Sequence, residues 1–181
     1  MADHGVVKAI EAVNHLLGRL AGWAALVLIV LQFIAVLLVY VFRADQIGIG
    51  AFGLSVVQVQ ELLLYINAFI FLGGAGAALA DDAHVRVDIF YGRGSQRERD
   101  ESDIIGTLVF LTPFCALVWW ACVPFVWRSW SIFEGSIDSA GLPFVYILKG
   151  FLLLFAFTLS IQAIALLIRA MTRRQLKGQR P

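Results

Sequence analysis

The sequence predicts an all-α integral membrane protein of four transmembrane helices, with a short amphipathic helix lying in the interface ahead of the first. Three observations carry this expectation. Of the 181 residues 60% are hydrophobic and 15% charged, against the roughly 45–50% apolar content of a soluble domain. Mean hydropathy is +0.83. The charges cluster in short stretches separated by apolar runs at 20–42, 56–80, 104–127 and 144–168, each long enough for a hydrocarbon core that takes about 20 residues at about 1.5 Å per residue.

Residues 1–19 form the first segment. Val6, Val7, Ile10, Val13, Leu17 and Leu20 recur at helical spacing while Lys8, Glu11, His15 and Arg19 point elsewhere. That pattern fits an interfacial amphipathic helix, and fits equally an extension of the first crossing. The run at 20–42 is longer than the roughly 7–15 apolar residues of a signal peptide and no small-residue cleavage site follows it, so it is expected to be retained. The four-helix membrane domain spans 20–168, and 169–181 is read as a basic tail.

Four crossings put both termini and the middle loop on one side. That side carries Lys8, Arg19, Arg86, Arg93, Arg97, Arg99, Arg169, Arg173, Arg174, Lys177 and Arg180, against Arg43, Arg128 and Lys149 on the other. The positive-inside rule makes the crowded side cytoplasmic. A net charge of +1, distributed in this way, carries no signature of nucleic-acid binding.

Loops 44–55 and 128–143 on the opposite side are short and partly apolar, with Ile47, Ile49, Phe52, Trp130, Ile132 and Phe133. Such side chains want either a protein partner or immersion among lipid headgroups.

Glu61 is the single acid inside an apolar run, a position where ionisable groups are costly and often functional. Lys149 stands at similar depth in the fourth run. We therefore expect an intramembrane ion pair between Glu61 and Lys149, each snorkelling separately to the interface being the alternative. In the second run Gly73, Gly74, Gly76, Ala77 and Ala78 make a small-residue surface suited to close helix packing. Pro113 and Pro124 are expected to bend the third helix.

Cys115 and Cys122 lie about 10 Å apart on one helix, too far for a disulfide, and form no Cys-x-x-Cys pair. The loop 81–103 holds His84, Arg86, Val87 and Asp88, the two charged residues suited to charge-assisted hydrogen bonds, but no calcium or zinc ligand spacing. None of His4, His15 and His84 lies in a crossing, which disfavours haem between helices. With no Ser/His/Asp set and no phosphate-binding glycine motif, an enzyme has no residues to rest on.

The order of these features resembles the small membrane subunit of tripartite ATP-independent periplasmic (TRAP) transporters. The likeness lies in an early acid in a helix, Glu61, followed by Leu72-Gly73-Gly74-Ala75 and then His84-Val85-Arg86-Val87-Asp88, with a fourth helix after Gly141-Leu142-Pro143 carrying Lys149 and Gln162. Asp81-Asp82 departs from the small or basic residues frequent there. The resemblance implies a noncatalytic small permease subunit of the bacterial inner membrane, in a heteromeric complex for secondary active transport. Its partners would be a large polytopic membrane subunit, which performs sodium-coupled transport, and a periplasmic substrate-binding protein that captures organic acids or related solutes. No cofactor is implied, and sodium is expected in the large subunit. A self-sufficient proton-coupled exporter using Glu61 stands as the alternative.

Overall fold

In the computed structural model residues 2–43, 46–47, 53–81 and 96–178 are described, with side chains at 5–43, 53–81 and 101–173. The expected contact motif His84, Arg86, Val87 and Asp88 lies outside the described residues.

Helix α1 runs from Ala2 to Val36 and continues through a wide π turn at Leu37–Val41. The expected separate amphipathic helix is therefore corrected to one continuous helix: no proline interrupts residues 2–36, and one face stays buried throughout. That face has a seven-residue repeat. Val7, Asn14, Ala21 and Ala35 are buried, and Leu28 packs on the cluster of Ala35, Val59 and Leu63. A repeat of seven is the mark of helices inclined as in a left-handed coil. Arg43, with φ of 49°, turns the chain out of the helix, and a two-residue antiparallel pair follows, β1 (Gln46–Ile47) with β2 (Leu54–Ser55).

Helix α2 covers Val56–Ala80, the boundaries expected from the apolar run. Its start is set by a capping box: the Gln58 amide donates to Ser55 Oγ at 3.1 Å and the Ser55 amide to Gln58 Oε1 at 3.0 Å, satisfying two otherwise orphaned donors.

The third crossing is α3 (Gln96–Gly106), a second π turn at Thr107–Leu111, and α4 (Thr112–Ser131). It begins before the expected residue 104 because residues 96–103 contain no proline and several good helix formers. The π turn precedes Pro113, whose missing N–H and bulky ring do not fit the α register. The Thr112 amide and Thr112 Oγ1 both donate to the Thr107 carbonyl, the hydroxyl at 2.9 Å. The proline thus widens the helix locally. Helix α4 ends at Ser131 in a Schellman turn, with the Glu134 amide on the Ser129 carbonyl at 3.1 Å and the Phe133 amide on the Trp130 carbonyl at 3.3 Å. The left-handed position, usually glycine, is Phe133 with φ of 46°.

Helix α5 spans Val145–Gly178. The segment expected as a basic tail is helical as far as Gly178, since Arg, Gln, Leu and Lys are good helix formers and cations near a helix C-terminus are favourable. Helix α5 is the central post, touching α1, α2, α3 and α4. Its inner face buries Ala156, Thr158, Leu159, Gln162, Ala163, Ala165 and Ala170, mostly small residues that bring neighbouring backbones close. Trp119 Nε1 donates to Ser160 Oγ at 3.0 Å, tying α4 to α5. Helical segments at Gly5–Val41, Val56–Ala80, Glu101–Ser131 and Val145–Arg173 are long and apolar enough to cross a membrane. Large apolar side chains on their outer surfaces, such as Trp23, Phe110 and Trp120, are exposed, as lipid-facing residues are in a bundle without a polar coat.

Candidate functional site

Polar side chains gather at the two ends of the bundle. At the end opposite the termini they fasten the loop between α4 and α5. Ser55, at the N-cap of α2, and Glu61, in its second turn, both reach that loop. Ser55 Oγ donates to the Ala140 carbonyl at 3.2 Å. One Glu61 oxygen accepts from Ser136 Oγ and the other from the Leu142 amide at 2.5 Å. Gly141 lets the loop come this close: a Cβ at that position would stand 2.5 Å from Glu61 Oε1 and from Ser136 Cβ, so a larger residue would push these contacts apart.

Lys149 has a different partner. Its Nζ lies 2.5 Å from Glu134 Oε2 and 4.4 Å from the centre of the Phe125 ring. The ion pair expected between Glu61 and Lys149 is thus corrected. The loop folds back and offers Lys149 its own carboxylate, while Glu61, at the neighbouring helix end, is taken up by loop hydrogen-bond donors. The Glu134 carboxyl is held below the ordinary glutamate value, first of all by the hydrogen bond from Lys149. Rings complete the loop's packing: Trp130, Phe133 and Phe144 each set their ring on Tyr146, with centroids 5.2, 5.7 and 6.3 Å away. Sequence reasoning missed Glu134 and Ser136, which lie in a loop where spacing sets no register.

At the end that carries the termini a second set joins α1, α2 and α5. Asn14 and Gln162 are fully buried, and Asn14 Nδ2 donates to Gln162 Oε1 at 2.7 Å. Beside them Gly76 of α2 is packed so closely that a Cβ would lie 2.6 Å from Asn14 Oδ1 and 2.8 Å from Thr158 Cβ. Glu11 pairs with Arg169, and His15 Nδ1 is 3.5 Å from Asp81 Oδ1.

The small-residue stretch of α2 faces its own chain here. A Cβ at Gly18 would meet Ala77 at 2.6 Å, one at Gly74 would meet Ala21 at 3.5 Å, and one at Gly73 would touch the Phe69 ring at 3.2 Å and Leu154 at 3.7 Å. Ala78, on the same stretch, is half-buried. Cys115 and Cys122 are free thiols, the first buried.

The architecture defines a multi-pass membrane protein of four apolar crossings whose buried polar groups hold helix to helix and loop to helix. Residues 49–173 match the family described as tripartite ATP-independent periplasmic transporters, DctQ component, and the chain belongs to that family. It is a small auxiliary subunit of such a transporter in the inner membrane, and not an enzyme. No curated protein and no solved structure gives a significant match to the chain.

Proposed function

We propose that this chain is the bracing subunit of a sodium-coupled, binding-protein-dependent transporter for organic acids or related solutes. It packs beside a large polytopic subunit that carries the solute and the sodium sites, and a periplasmic binding protein delivers the solute. Both termini face the cytoplasm, as the distribution of Lys and Arg directs. The Glu134–Lys149 loop then faces the periplasm, and residues 84–88, with His84, Arg86, Val87 and Asp88, form a cytoplasmic contact.

The observation that carries this reading is the occupation of Glu61. Both of its carboxylate oxygens accept hydrogen bonds from the loop, so the acid serves as a fastening and not as an open site for proton exchange. That favours support over self-sufficient export. Co-expression with a large subunit and a binding protein of the same transporter, followed by reconstitution into liposomes, tests it. Uptake should need all three proteins and a sodium gradient. Solute movement by this chain alone would defeat the reading.

A further inference from the structure

A groove of about 720 Å³ runs along the outer surface between α1 and α2, with Leu28, Phe33 and Leu64 in its walls and three amides, Gln32, Gln60 and Asn67, opening into it. Gln32 and Gln60 are exposed and Asn67 is half-buried. Among the described residues none of the three amides has a hydrogen-bond partner in the chain. Depth makes this consequential. Asn67 lies about 16 Å from the start of α2 and Gln32 about 13 Å from the end of the π turn of α1, near the middle of a hydrocarbon core about 30 Å thick. Neither water nor an acyl chain offers an amide a partner there. The outer face of the third crossing shows the contrast: Phe110, Leu117, Trp120 and Val123 are exposed and suit lipid without any such demand.

We propose that this groove seats a transmembrane helix of the large membrane subunit, one that presents hydroxyl, amide or similar side chains to Gln32 and Asn67. The inference rests on the subunit reading above and adds the face that is used. Lipid fills the volume but leaves the amides unpaired. A second copy related by a two-fold axis sets two concave faces opposite each other and leaves the groove empty. A helix from a different protein fills the space and can supply hydrogen bonds worth having at this depth.

The test uses the co-expressed membrane complex in its native bilayer. Photoreactive benzoylphenylalanine at Phe33 or Leu64 should give an adduct with the large subunit, identified by peptide mass, whereas the same group at Leu117 or Trp120 should not. Gln32→Leu with Asn67→Leu should weaken association of the large subunit by about tenfold, with the amount of small subunit in the membrane unchanged. Adducts with the large subunit from Leu117 or Trp120 only, with a second copy, or with lipid alone from the groove would each overturn the inference, and an intact complex would leave the subunit reading standing. If no complex forms, both fail together.

Discussion

Asn14 and Gln162, 148 residues apart in sequence, join their side-chain amides across 2.7 Å in the interior of the bundle. Each has a spare group without a partner, Asn14 Oδ1 and Gln162 Nε2. The bond therefore couples the first and last helices, and loss of either member strands the other in an apolar interior. Asn14→Leu or Gln162→Leu should each lower stability by about 1–3 kcal/mol. The double variant should recover part of that loss. Thermal unfolding of the purified complex in detergent reads the difference, and additive losses would contradict the coupling.

Gly76 gives a sharper steric test. An added methyl collides with Asn14 and Thr158, neither of which is free to withdraw, so Gly76→Ala should cost about 1–3 kcal/mol through overpacking. Gly22 is the control, since a Cβ there meets nothing within 4 Å. Gly22→Ala should be neutral or slightly stabilising, as expected of a helical glycine in open space.

At the opposite end, removing Glu61 should release the loop. Glu61→Ala leaves Ser136 Oγ and the Leu142 amide without their acceptor, and hydrogen bonds to a charged group contribute about 1.5–3 kcal/mol. Hydrogen exchange at the Leu142 amide should accelerate markedly, while amides near Gln162 keep their protection. Unchanged exchange at Leu142 would show the loop to be held by other means.

Acid should weaken the same loop. The Glu134 carboxyl titrates below its ordinary value of 4.5, so the folded state binds the proton less readily than the unfolded chain does. Its contribution is present in full above the ordinary value and is lost as pH falls through the depressed one. Thermal midpoints of the native chain and Glu134→Gln should differ at neutral pH and converge as the pH falls below 4.5 through the depressed value. Lys149→Met, which removes the largest cause of the depression, should shrink that difference.

Phe133 supplies a backbone test. Its left-handed conformation costs a residue with a Cβ about 1–2 kcal/mol. Among variants that remove the ring, Phe133→Gly should therefore be more stable than Phe133→Ala by about 1 kcal/mol, the reverse of the order in a helix. Equal midpoints would argue against the left-handed turn.

The crossings were legible in sequence because lipid imposes length and apolar composition on every residue of a span. Helix α2 has the boundaries its apolar run suggests, since Ser55 and Asp81 are polar stops at both ends. The outer limits of the third and fourth crossings were hidden, because residues 96–103 and 169–178 are polar yet helix-forming and composition marks only the part immersed in lipid. Polar partnerships were the least visible. Glu61 and Lys149 share depth and opposite charge, but the loop between α4 and α5 brings Ser136 and Leu142 to the one and Glu134 to the other. Asn14 carried a readable signal as the one polar residue in the sequence Val7, Asn14, Ala21, Leu28, Ala35. Asn67 and Gln32 were legible individually, and only the packing of α1 on α2 turned them into neighbours of one groove.

Helix α5, with 34 residues, is about 51 Å long and exceeds an oily slab of about 30 Å; α1 outruns it as well. Because Glu11 pairs with Arg169 and Asn14 bonds Gln162 along the same seam, sliding one rod past the other to suit a thinner or thicker bilayer would break both ties. A change in lipid chain length is therefore met by leaning the pair as one mast, and whatever is moored along that mast leans with it.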